Sequence, residues 1–315
     1  MTAERRLLAL GAVLVLAAVL YLAWNLRAPY GYILSLRAQR LAALMMVGAA
    51  SGAATMVFQT LVRNRLLTPG IVGFDALFIF LQTLLVLLLG GVGFALLPPG
   101  GLFLLEAICL MAAALALFGW LLRKGAEDLI RLVLTGVVLG VLLRGLSGFG
   151  QRLLDPSEYA VLQQVSIASF GNVDSGALAI SAVALMLALA AAMAMAPALD
   201  VAAFGRSSAR SLGLAYDRTV LGGLAVVSAL VAVSTALVGP VIFLGLLAAS
   251  LAHATIPSWR HALRIPAGAM LGAVILVLGQ FVFERVLALQ SALSVVIEFA
   301  GGLVFLALVL QRRAQ

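Results

Sequence analysis

The sequence predicts an all-α polytopic membrane protein of about ten transmembrane helices. Three observations predict it. Of 315 residues, 64% are hydrophobic and 10% charged, whereas a soluble domain carries about 25% charged residues. The mean hydropathy is +1.19. The apolar residues also fall in long runs, of the length at which a helix rising about 1.5 Å per residue crosses about 30 Å of hydrocarbon. No soluble insertion, low-complexity linker or internal repeat interrupts them, so residues 1–315 read as a single transmembrane domain.

The first run, 7–26, follows Arg5 and Arg6 as the core of a signal peptide would. It lacks a small-residue cleavage site and has full spanning length, so it reads as a retained span. Runs at 41–62, 101–122, 129–150 and 174–197 each fit one crossing. The run at 71–97 is long enough to tilt or to lie partly outside. A short polar stretch of small residues, "GRSSARSLGL" at 205–214, then interrupts the apolar pattern, and 219–239 resumes it. After Gly239-Pro240 the run at 240–254 is short for a span, and 265–285 and 292–311 complete the set. Glycines inside the runs, such as Gly48, Gly52, Gly136, Gly140, Gly301 and Gly302, allow close helix approach where no hydrophobic effect drives helices together.

Ten spans put both termini on one side. With the N-terminus inside, all of the 20 basic residues except Arg27, Arg37, Arg40, Arg144, Arg152 and Arg285 lie in cytoplasmic segments. That bias fits an N-in, C-in chain. It places 205–214 in the cytoplasm and explains the net charge of +8 without nucleic acid as a partner.

Several chemistries are excluded. The single lysine, Lys124, stands in no G-x-x-x-x-G-K-[ST] motif, so the chain has no P-loop of its own. His253, His261 and the single Cys109 make no ordinary zinc or copper set, and both histidines read as interfacial or solvated beside a loop. There is no G-x-S-x-G and no H-E-x-x-H. Enzyme function is not expected, and neither is a bound cofactor or metal.

Four segments carry a resemblance. "AFGRSSARSLGL" at 203–214 resembles the A-L-G-x-x-x-A-R-x-L-G segment of ABC importer permeases for ferric siderophores, haem and cobalamin. "FQTLVRNRLLTPGIVGFD" at 58–75 is similar to that family's Q-x-x-x-R-N-P-L-A-x-P-x-x-L-G loop. "ALVGPVIFLGLLAASLAH" at 236–253 is similar to A-G-P-I-G-F-V-G-L-x-x-P-H-x-x-R, and "RAQR" at 37–40 precedes the second span as it does there. Order and spacing match along nearly the whole chain. Arg65 stands where the family usually has Pro, Ala249 and Ser250 replace a Pro-His pair, His253 replaces Arg, and Arg206 sits where many members carry Glu.

The resemblance implies the type II ABC importer fold, with two permeases around one pathway, two ATPase subunits below and a periplasmic binding protein above. ATP and Mg would then sit on the ATPase. It implies that 203–214 is the coupling helix seated in the ATPase, with Gly205, Arg206, Ser208, Ala209, Leu212 and Gly213 at the contact. Gly205 and Gly213 would bound it, and Ser207 and Ser208 could satisfy free donors at its start. It implies that Arg37, Arg40 and Arg285 face the binding protein, and that Gln59, Asn64 and Leu66 border the cytoplasmic gate. Arg144 either faces the pathway or snorkels outward. Asp75, Glu106 and Glu298 are carboxylates in or near apolar runs, which must face protein or water. Glu298 reads as a pathway or helix-linking residue, and Asp75 as a local cap or a partner of Arg63 or Arg65.

The function expected is therefore a permease subunit, paired with a second homologous permease, identical or not, importing a ferric siderophore across a bacterial inner membrane. Cobalamin or haem is the alternative cargo. An ion-coupled secondary transporter using Glu298 or Glu106 is the rival class.

Overall fold

A computed structural model describes residues 2–25, 28–70, 73–122, 129–171, 173–287 and 293–313. The expected starts of the third and tenth spans, at 71 and 292, and the basic residues Arg27, Arg123 and Lys124 lie outside them. Among the described residues the chain is helical, without strands. The helices are α1 (Ala3–Ala23), α2 (Tyr30–Val62), α3 (Phe74–Ala95), α4 (Pro99–Leu122), α5 (Leu129–Gln151), α6 (Pro156–Ser166), α7 (Ser175–Ala194), α8 (Ala196–Ala202), α9 (Arg206–Ser211), α10 (Tyr216–Val238), α11 (Leu244–Thr255), α12 (His261–Phe281) and α13 (Leu293–Arg313). Among the described residues eight are long and apolar enough to cross a membrane, and the short α11 and the apolar stretch Leu293–Leu306 of α13 complete the ten expected segments in order.

Two expectations change. The second span is a 33-residue helix from Tyr30 rather than from 41, because the polar "RAQR" lies within the helix instead of before it. Helix α6 also stands between the fifth and sixth spans. Asp155 and Glu158 form a capping box around it, with Pro156 in the first turn, a start signal present in the sequence as D-P-S-E.

Helix α2 is the centre of the bundle and packs on α12, α10, α11 and α7. Its crossing with α12 brings backbone against backbone at paired glycines. A methyl group placed on Gly48 or Gly52 would overlap the backbone at Gly272 or Gly268, and the reverse holds for Gly272 against Gly48. Helix α1 packs on α12 and α2, α4 on α10, and α3 on α5 and α6. Helix α3 kinks at Gly90, which has φ 71° and ψ 162°, a conformation open to glycine and strained for other residues. The kink frees the Gly91 N–H, which donates to Glu158 Oε1 on α6 at 3.1 Å. The other carboxylate oxygen accepts from the Asp155 N–H at 3.3 Å.

Candidate coupling and gate site

Helix α9 is a short amphipathic turn between α8 and α10. Gly205 precedes it at φ 91°, and no side chain caps its start. The serines thus do not cap; Ser211 Oγ instead donates to the Ser208 carbonyl at 2.8 Å. Its end is a Schellman closure. Gly213, at φ 84°, donates to the Arg210 carbonyl at 2.9 Å, and Leu214 to the Ala209 carbonyl at 3.0 Å. Gly205 and Gly213 therefore bound the helix as expected.

The two faces of α9 differ. Phe204 and Leu212 are 63% and 66% exposed, and Ser208 is exposed. Ala209 is fully buried and belongs to the protein's own core with Leu199, Tyr216 and Val220. This corrects the expectation that Ala209 faces an outside partner: helical periodicity turns it inward. Arg206 Nη2 and Arg210 Nη2 both reach the Asp217 carboxylate at the start of α10, the former at 3.4 Å. The basic residues of α9 are thus tied to α10.

The expected gate residues come together at the end of α2. The helix stops at Arg63, which adopts a left-handed conformation at φ 55°. Asn64 Oδ1 accepts from the Leu66 N–H at 3.0 Å, and Gln59 Nε2 donates to the Arg65 carbonyl at 2.6 Å. The Gln59 amide oxygen meets His253 Nε2 of α11 at 3.2 Å. One residue on, Thr60 Oγ1 lies 2.7 Å from His261 Nε2. His261 Nδ1 and its backbone N–H both reach Asp200 Oδ1 on α8, at 2.6 and 2.7 Å. The two histidines are therefore not solvated loop residues. His261 is buried and His253 partly so, and each bridges α2 to a neighbour. Asp200 carried no sequence signal, since its role depends on a partner 61 residues away. Arg63 is the other junction: a methyl group on Gly205 would lie 2.9 Å from its Nη1, so the guanidinium packs against the start of the coupling segment.

At the opposite end of the bundle, Arg37, Arg40 and Arg285 share a cluster but not a role. Arg40 pairs with Glu284 at 3.3 Å, and Arg285 approaches the same carboxylate at 3.8 Å. Arg37 is 6% exposed and donates to the Leu22 and Trp24 carbonyls at 2.8 Å each. This corrects its expected outward placement. Its charge closes the unpaired carbonyls at the end of α1, where a cation is favourable.

Glu298 is half-buried on α13. Asp75 is buried at the start of α3, within coulombic reach of Glu298 and Arg144, and lines a cavity of about 30 Å³ with Thr68, Ser51, Thr55 and Thr235. Among the described contacts, Asp75 is not paired with Arg63 or Arg65. Glu106 is buried and accepts from Gln82 Nε2 at 2.6 Å. Gly301 sits against Phe243 at the start of α11, with no room for a methyl group. Among the described residues no group of three His, Cys, Asp or Glu side chains could hold a metal ion.

Comparison with known proteins follows this geometry. The FecCD transport family matches residues 7–311. The petrobactin import system permease protein YclO of Bacillus subtilis is 36% identical over 282 residues, which are 90% of each chain. The petrobactin import system permease protein FatC of Bacillus anthracis is 30% identical over 86% of this chain and 77% of its own. A solved structure, described as an inward-facing conformation of a metal-chelate type ABC transporter, superposes with a TM-score of 0.85 over 98% of this chain and 99% of that one, at 21% identity.

Proposed function

Because the chain belongs to the FecCD transport family, we propose that it is the membrane permease of an ATP-driven importer that moves a ferric siderophore of the petrobactin class inward. The observation that carries this reading is the build of α9. A short helix, rooted in the core through Ala209 and stopped by Gly213, is flanked by the exposed Phe204 before it and Leu212 at its end, between two spans. Exposed apolar side chains at the two ends of a short helix are suited to a groove on another protein. A loop that merely joined α8 and α10 would need neither the closure nor the projection.

In this reading α9 seats in the ATPase, and the α2 end with Gln59, Asn64 and Leu66 forms the inner gate. Arg40 and Arg285 face the binding protein at the far end, and Glu298 lies beside the pathway. A second permease of the same fold completes the pathway in a bacterial inner membrane. ATP and Mg reside on the ATPase, so this chain performs transport and no bond-breaking step. The iron arrives chelated and asks for no protein ligands.

The test is uptake of iron-labelled ferric petrobactin by proteoliposomes holding the permease pair, its ATPase and its binding protein, with ATP supplied on the ATPase side. Uptake is expected with ATP and without an ion gradient. Competition by cobalamin or haem in place of petrobactin would transfer the reading to those cargoes. Uptake that needs a gradient but no ATP would overturn it in favour of a secondary transporter.

A further inference from the structure

Helix α12 begins at a histidine whose backbone N–H is capped from another helix. The residue before it, Arg260, gives no side-chain cap. Asp200 of α8 supplies the acceptor instead and takes the His261 Nδ1 proton as well. A carboxylate only accepts, so Nδ1 is a donor, and Nε2 faces the Thr60 hydroxyl, whose oxygen also reaches the Met56 carbonyl at 2.9 Å. The three side chains thus run in series from α8 through α12 to the last turn of α2.

Asp200 is also close to α9 along the chain, in the helix immediately before it. Ala203 donates to Leu199, Phe204 to Val201, Gly205 to Ala202 and Ala209 to Gly205, at 2.9–3.2 Å. Hydrogen-bonded turns thus adjoin on either side of Gly205, and Ala209 of α9 shares one core cluster with Leu199 and Ala202 of α8. That shared core gives displacement of α9 a route to Asp200, and Asp200 cannot leave His261 without uncovering a buried imidazole and a helix N–H. Next to Thr60, Gln59 holds the Arg65 carbonyl of the gate loop.

We propose that Asp200, His261 and Thr60 are positioning residues that carry displacement of the coupling helix into the end of α2, and so into the inner gate. The proposal rests on the permease reading above and deepens it. Transport of load through such a chain needs every link, whereas packing alone needs none in particular.

The test uses the complete importer in proteoliposomes, with whichever of ferric petrobactin or cobalamin the wild type imports as probe. ATP hydrolysed and probe imported are read together in Thr60→Val, Asp200→Ala and Asp200→Asn. Thr60→Val and Asp200→Ala are expected to assemble with the ATPase and to hydrolyse ATP at the wild-type rate. Probe imported per ATP falls about fivefold or more, the low end of ordinary coupling between sites. Asp200→Asn keeps the acceptor oxygen and restores most of the yield. The double variant Thr60→Val with Asp200→Ala is no worse than Asp200→Ala alone, since a chain in series is broken once. Unchanged import per ATP in the two single variants overturns the linkage. A parallel loss of assembly, hydrolysis and import, unrescued by asparagine, also overturns it, because that pattern belongs to a contact that only stabilises the fold. Failure of the wild type itself to import on ATP strikes the permease reading instead, and the linkage falls with it.

Discussion

Phe204 and Leu212 are the residues on which attachment of the ATPase is expected to depend. Burying an exposed Phe or Leu is worth about 1.5–3 kcal/mol each, so replacing both by serine should weaken ATPase binding by about 100-fold or more. A titration of detergent-solubilised permease with ATPase measures this. Ala209→Leu should behave differently. Its methyl group already sits in the core, and overpacking there costs about 1–3 kcal/mol. The expected result is a lower melting temperature of the permease alone. The arginine cluster divides in the same way. Reversing Arg40 and Arg285 to glutamate should reduce binding-protein affinity, most visibly at low salt, where charges are least screened. Exposed pairs are worth about 0.2–1 kcal/mol each, so the double variant is the informative one. Arg37→Ala should leave that affinity alone and lower stability, because it strips the end of α1 of a charged donor. Ala209 and Arg37 mark the limit of reading residues from sequence. Their types and spacing showed where they sit along the chain, but the face of a six-residue helix and the reach of a long guanidinium are decided by neighbours.

At the scale of elements, the crossing of α2 with α12 is the firmest joint. Gly48, Gly52, Gly268 and Gly272 bring two backbones into contact. Gly272→Val should reduce the thermal midpoint of the complex more than the same change at Gly302, around which a methyl group meets open space. A loss of about 1–3 kcal/mol is expected from overpacking, and scanning fluorimetry of the two variants side by side checks it. The apolar helices were legible because spanning length and composition fix them regardless of context. Gly205 and Gly213 were legible as the bounds of α9 because positive φ leaves a direct mark on residue choice. The start of α2 at Tyr30 was not, since arginines inside a membrane helix look like a boundary until their partners, the carbonyls at the end of α1 for Arg37 and Glu284 for Arg40, are seen. Helix α6 had its capping box in plain sequence but too little hydrophobic length to register as a span. The chain Asp200–His261–Thr60 left no trace at all, because it joins three helices that are distant in sequence.

For the whole molecule, the question between ATP-driven and ion-driven transport turns on Glu298. Glu298→Gln keeps the shape and most of the hydrogen-bonding capacity while removing the charge. ATP-driven uptake should persist within about a few-fold of wild type, as for a group that serves helix packing, with no dependence on an imposed proton gradient. Collapse of uptake together with its ATP dependence would assign the carboxylate to ion coupling. The outer half of the bundle sets a different constraint, through Glu158. One carboxylate serves both the first turn of α6 and the N–H released where α3 bends at Gly90. If α6 moves away alone, that N–H loses its charged acceptor. That carboxylate therefore staples the tail of α3, beyond the turn that a single glycine permits, to the root of α6, and a displacement of either is shared by the other.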